Sequence, residues 1–196
     1  MSTYETILAR RTIRRFQQKS IATDMLKKFI EAARVAPSAS NLQPLEYLII
    51  DDPKLLPKIF ETTAWAGYIA PNGTPPEGQR PVAYIIVLLN ETIKNEQYYK
   101  YDAGAAVENI LLTALEAGIG SCWLGAIKRE ALRESLAIPK HLIIDSVIAL
   151  GYPNEKSVIE EAADSIKYWK DEQGVMHIPK RPLEKITHFN KLSFYD

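Results

Sequence analysis

Eight consecutive residues, Val82-Ala83-Tyr84-Ile85-Ile86-Val87-Leu88-Leu89, present no polar face. An apolar run of that length, rich in β-branched side chains, reads as a central strand covered on both sides. The rest of the chain must therefore supply a sheet around it and helices for two faces. Leu26, Phe29, Ile30 and Ala33 form one apolar stripe on a helix that starts near Thr23, taken as N-cap with Ile21 as staple, and is stopped by Pro37. Val107, Ile110, Leu111, Ala114 and Leu115 mark a longer helix over Asp102–Ala117, with Gly118 as its C′ residue. Shorter helices fit Tyr4–Ala9 and the segment around Ala131, Leu132 and Leu136, while Asp51-Asp52-Pro53 opens one that Pro57 keeps short.

Further strands fit Leu45–Ile50, Ser121–Leu124 and Ile143–Leu150. The expected architecture is α+β, one central, mostly antiparallel sheet between helices, with residues 1–196 as a single domain. Gly67–Pro81, with three glycines and four prolines, reads as a long irregular loop, and a loop of that length inside a domain is a lid or is disordered. After Pro153 the chain reads as polar and irregular, with Trp169, Phe189 and Phe194 as isolated anchors; such a tail has little core of its own and is placed to wrap a neighbour. Tyr98-Tyr99-Lys100-Tyr101 reads as a partly buried aromatic cluster.

Composition narrows the function. Lys+Arg 24 against Asp+Glu 24 gives no net field to recruit nucleic acid or an anionic membrane. The one cysteine precludes an internal disulfide and fits a reducing cytoplasm. No apolar run is long enough to span a bilayer, and the N-terminus lacks a basic-then-apolar signal layout. His141, His177 and His188 show no metal-ligand spacing, and no catalytic-triad, Gly-x-Ser-x-Gly or Walker pattern occurs. Cys122 has no local base and reads as a buried structural thiol.

Three stretches stand out as ligand-binding material. Ala36-Pro37-Ser38-Ala39-Ser40-Asn41-Leu42-Gln43-Pro44 places small hydroxyl and amide residues between two prolines, either as an ordinary loop or as a rigid polar loop that meets a ligand. Arg10, Arg11, Arg14 and Arg15 surround Thr12; if helical, Arg10 and Arg14 share a face that can hold a phosphate, and otherwise they are a solvated basic cluster. Gly118-Ile119-Gly120 follows a helix, the reverse of a dinucleotide fingerprint, whereas Gly125 follows a strand and permits close approach of a flat ligand. No side chain announces acid–base chemistry, which points to a cofactor.

In order along the chain, Arg10-Arg11-Thr12-Ile13-Arg14, Ala36 to Pro44, Asp102-Ala103-Gly104-Ala105 through Asn109, Gly118 to Gly125, and Pro179-Lys180-Arg181-Pro182-Leu183 resemble the nitroreductase-like family of FMN-dependent NAD(P)H oxidoreductases. The resemblance implies a homodimer with FMN at the interface, touched by both subunits, and a C-terminal tail wrapping the partner. It implies that Arg10, Arg11, Thr12 and Arg14 hold the phosphate, ribityl chain and pyrimidine side, with Lys180 or Arg181 adding charge at the phosphate. It implies that Pro37, Ser38, Ala39, Ser40, Asn41 and Gln43 line ring and ribityl from the other subunit, and that the N–H groups of Leu124 and Gly125 face N5 and O4. Asn72, Gln79 and Arg80 are candidates for further flavin contacts, and Trp65 and Tyr68 for an acceptor pocket. The implied chemistry is ping-pong hydride transfer from NAD(P)H to an electron-poor acceptor such as a nitroaromatic or quinone. Flavin N5 does the chemistry, no side chain is catalytic, and Arg14 is the charge near N1 and O2. The alternatives are a specialised offshoot (dehalogenation, flavin destruction or dehydrogenation) and a non-catalytic flavin-binding dimer.

Overall fold

The computed structural model describes residues 1–93 and 98–192. The apolar run forms β3 (Ala83–Asn90), buried along all but its last residue. It lies between β2 (Leu45–Ile50) and β5 (Leu142–Pro153), and the far side of β5 receives β1 (Phe16–Gln17) and β4 (Gly120–Leu124). All four pairings are antiparallel. Period-two alternation sends Ala83, Ile85 and Val87 to one face, against Leu26 and Phe29 of α2 (Thr23–Arg34) and Val107, Ile110 and Ala114 of α4 (Tyr99–Glu116). Tyr84, Ile86 and Leu88 face the other way, against Ile59 of α3 (Leu56–Glu61), Trp65, and Leu132 of α5 (Arg129–Leu136). Both faces of β3 are thus covered, as its composition requires.

β5 breaks its own alternation. Val87 pairs with Ser146 but Leu88 pairs with Ile144, so Asp145 is an extra residue, a β-bulge. Consequently Ile144 joins Val147 and Ala149 on the α3–α5 face, while Ile148 and Leu150 face α2 and α4.

Several elements differ from the sequence reading. α1 (Thr3–Ala9) is capped by Ser2 in a capping box with Glu5. Ala22, not Thr23, is the N-cap of α2, and it offers no side-chain oxygen. α4 begins three residues before Asp102; the Tyr98 and Tyr101 rings lie 6.4 Å apart but both are exposed, and of the three tyrosines Tyr99 alone is half-buried. Gly118, at φ +75°, is the left-handed residue after α4, as expected. The Gly67–Pro81 segment contains a 3-10 turn at Gly67–Ile69, and Gln79 and Arg80 carbonyls accept from Phe16 N (2.9 Å) and Gln18 Nε2 (2.9 Å).

The region after Pro153 is not irregular. β6 (Ser157–Glu161) pairs parallel with β8 (Met176–Lys180), which pairs antiparallel with β7 (Trp169–Lys170). Polar clamps hold this small sheet. His177 bonds Glu160 (2.8 Å) and Asp171 (3.2 Å) and stacks on the Trp169 ring at 4.0 Å. Trp169 is therefore not isolated, Phe189 is 82% exposed, and Phe194 lies outside the described residues. Tyr168 joins this sheet to the 67–81 segment: its hydroxyl accepts from Tyr68 N at 3.3 Å and its ring packs on Tyr68.

Candidate functional site

The arginine-rich segment is extended, because α1 ends at Ala9 and Arg10 already has β-region dihedrals. The shared helical face expected for Arg10 and Arg14 therefore does not form. The segment instead runs beside β4: Thr12 bridges to Ser121, and Ile13 N donates to Ser121 O at 2.8 Å. Arg10 pairs with Glu108 of α4 at 3.2 Å. Arg11 donates to Leu8 O, and burial beside Arg10 lowers its pKa. Arg10 and Arg11 line a cavity of about 130 Å³ with Gly120 and Ser121.

Arg14 goes inward. Its backbone N donates to the buried Glu155 carboxylate at 2.6 Å, and its guanidinium lies 5.3 Å from the Tyr168 ring centroid. Nε and Nη1 of Arg14 are buried and unpartnered among the described residues, as is Nε of Arg80, whose guanidinium sits 4.2 Å from the Phe60 ring centroid. A buried guanidinium N–H without an acceptor is costly in a folded protein, so these atoms fit a ligand that presents oxygen or ring nitrogen. Burial pushes the Cys122 thiol up to about 11, only partly offset by nearby Arg14, so it stays protonated and structural at neutral pH.

The loop after α2 is held by a residue to which the sequence reading gave no role. Asp102, buried in the first turn of α4, accepts from Ser38 Oγ at 2.7 Å and Ala39 N at 3.0 Å. Ser38 Oγ in turn accepts from Gln43 N at 2.9 Å. Around this clamp Ser40, Asn41 and Gln43 all adopt left-handed φ, at 51°, 55° and 52°. Three such non-glycine residues cost on the order of 1–3 kcal/mol each, and strain of that kind collects at ligand sites. Pro37, Ser38 and Gln43 border a cavity of about 210 Å³ that also meets Tyr47 and Asp102. Burial and the Asp102 charge raise Tyr47 to about 12.

Leu124 is buried in the core, and Gly125 stands exposed just beyond β4 with nothing within 4 Å of where a Cβ would be. Lys180 ends β8, and Arg181 donates to Lys185 O at 3.0 Å beside a separate cavity of about 430 Å³. Asn72 O accepts from Arg15 Nη2 at 3.4 Å. Trp65 is buried in the core and Tyr68 is exposed.

Within one chain, Arg10–Arg11, the 37–43 loop, Gly125 and Arg181 each border a different cavity. Asp102 is legible in the sequence only as a helix start and part of the family motif; its clamp role gives no local signal, because an acidic residue in a first helical turn is commonplace and its partner Ser38 lies 64 residues away.

The family model described as "Nitroreductase family" matches residues 7–152. A protein of Archaeoglobus fulgidus, provisionally named NADH dehydrogenase/NAD(P)H nitroreductase, is 37% identical, over 81% of this chain and 89% of that protein. A crystal structure of a provisionally assigned nitroreductase from Desulfovibrio desulfuricans in complex with FMN superposes with TM-score 0.71 at 26% identity, covering 98% of this chain and 99% of that one. The NADPH:FMN oxidoreductase from Vibrio harveyi, complexed with NAD+, shares the fold at TM-score 0.68 and 20% identity, covering 99% of this chain and 79% of that one.

Proposed function

The chain belongs to the nitroreductase family, and from that premise we propose that it is an FMN-dependent NAD(P)H oxidoreductase working by a ping-pong mechanism on an electron-poor acceptor. The observation that carries this reading is Arg14, whose buried Nε and Nη1 have no acceptor among the described residues while its backbone is anchored by Glu155. The residues fit FMN: guanidinium donors without a partner among the described residues, an open Gly125 backbone and a strained hydroxyl–amide loop offer donors to the oxygens and nitrogens of a flat polar ring. When bound, FMN supplies reversible hydride transfer between the nicotinamide and the acceptor.

Each part of the chain then has a physical task. Arg10 and Arg11 provide charge for a phosphate, with Arg10 held in place by Glu108, and Lys180 or Arg181 adds to it. Thr12, bridged to β4, is fixed for a hydroxyl contact. Arg14 places a permanent positive charge in a buried setting, where it favours uptake of electrons by a neighbouring ring. Pro37, Ser38, Ala39, Ser40, Asn41 and Gln43, locked by Asp102, meet the ring and ribityl of the partner's site. A second copy of the chain completes the site. Its support is the scatter of these groups over separate cavities, together with the exposed apolar side chains of Tyr4, Ile7 and Leu8 on α1 and Leu183, Ile186 and Phe189 in the tail.

The test is the visible spectrum of the purified protein before and after anaerobic addition of NADH or NADPH. Flavin bands that bleach with either nucleotide are expected. Bands that persist would leave a binding role, and absence of flavin after adding FMN would overturn the reading. Arg14→Ala is expected to lower the reduction potential of the bound flavin; an unchanged potential with intact binding would remove Arg14 from that role.

A further inference from the structure

The β5 bulge has a chemical consequence. Strict alternation would put Asp145 on the α3–α5 face, inside the apolar core; the extra residue instead brings Asp145 and Ser146 both to the cavity at the start of α4. That cavity, about 250 Å³, is bordered by Lys100, Trp123, Gly125, Arg129, Asp145 and Ser146.

Its lining is richer in donors than in acceptors. Asp145, the one carboxylate among the lining residues, accepts from Lys100 Nζ through Oδ1 at 2.5 Å. Arg129 uses Nε on Ile144 O (2.9 Å) and Nη2 on Asp145 O (2.8 Å) and Gly125 O (3.4 Å), which leaves Nη1 among the described residues. Lys100 also hydrogen-bonds Tyr99 and lies 4.6 Å from its ring centroid, which leaves one further N–H. Ser146 is 3% exposed, and its Oγ has no partner among the described residues. The donors in excess thus call for a ligand that brings oxygen acceptors and negative charge. Trp123, 45% exposed, offers an indole face for a planar ring, and Gly125 leaves the side toward the proposed flavin contact open.

We infer that this cavity is the recognition site for an oxidised aromatic acceptor carrying a carboxylate, with the carboxylate at Lys100 and Arg129, the ring on Trp123 and a nitro or carbonyl oxygen at the Ser146 hydroxyl. The inference rests on the oxidoreductase reading for the acceptor's redox role, but not for the binding itself. Arg129 also fixes Gly125 to the bulge, so ligand and flavin contacts share one rigid corner.

Calorimetric titration of the purified full-length protein with 4-nitrobenzoate and 4-nitrobenzamide tests it. The benzoate is expected to bind about tenfold more tightly, the effect of one charge-assisted hydrogen bond. Lys100→Gln is expected to bring that ratio close to one. Ser146→Ala is expected to weaken both ligands about fivefold and keep the ratio. Equal affinities in the unaltered protein, or both variants binding like it, would overturn the assignment. The flavin-bleaching experiment reports separately: bleaching with no benzoate preference sinks only this site, whereas a preference without bleaching supports the site and sinks the oxidoreductase reading.

Discussion

The central sheet and the C-terminal sheet are held together by opposite means. β3 contributes seven buried apolar residues, and both its faces are covered by α2, α4, α3 and α5. The β6–β8–β7 sheet buries little beyond Met176 and Pro179 and relies on His177, Glu160, Asp171 and Trp169. An apolar sheet is stabilised by area removed from water and is nearly indifferent to pH; a polar clamp is stabilised by charge and is sensitive to it. The two meet where Arg14 and Arg15 reach Glu155 and Asn154, next to the proposed flavin site. A rigid base and a softer cover suit a site that must admit two substrates in turn.

Four substitutions or conditions would break or sharpen this contrast. Phe29→Ala, emptying a fully buried position under β3, is expected to cost about 3–5 kcal/mol by chemical denaturation and to lower the stability of the whole fold. Asp102→Ala unlocks the 38–43 loop from the rigid base; about 2–3 kcal/mol and most of the flavin retention should go with it, as read by denaturation and by flavin absorbance after gel filtration. Full flavin retention would show that the loop is shaped without its clamp.

Gly151→Ala tests the junction. Its Cβ would meet the Phe16 ring at 2.8 Å, and Phe16 is fully buried, so about 1–3 kcal/mol of overpacking strain is expected in thermal unfolding. A neutral result would mean that β1 shifts freely. The smallest effect is a pH dependence confined to the C-terminal sheet. Hydrogen bonds to Glu160 and Asp171 raise the His177 pKa above its ordinary value, so its contribution is complete below about pH 6.5 and is lost as pH rises through the raised value. Glu160 is held low by Trp169 and His177; Asp171 is lowered, against its desolvation, by Val175 N–H and His177. Their contributions are present above their ordinary range and lost as pH falls through the lowered values. Amide protection in β6 and β8, taken relative to the base-catalysed intrinsic exchange rate, should therefore be greatest between these limits and fall toward alkaline pH, while protection in β3 stays unchanged. Equal pH response in both sheets would erase the distinction.

The main sheet was legible because each of its signals is local. An unbroken apolar run, a 3.6-residue stripe and a glycine after a helix each have one physical reading, and β3, α2 and Gly118 follow it. The ordered family resemblance likewise needed only residue types in sequence. The C-terminal sheet was not legible, because its strands are short and its stabilising partners lie 6 to 17 residues apart as charged and aromatic side chains that read as surface. The arginines were legible as a group but not as individuals. Sequence spacing suggested a shared helical face, and only the early end of α1 sends Arg10 to Glu108 and Arg14 inward beneath Tyr168.

The sequence by itself determined the layers, the family and the residue types at the site, since these follow from hydrophobic period and ordered motifs. Only the tertiary structure decided that Asp102 locks the 38–43 loop, that Arg14 carries buried donors with no partner among the described residues, and that one extra residue in β5 turns Asp145 and Ser146 toward α4. Register, burial and hydrogen-bond partnership are relations between distant segments, and no local window of sequence contains them.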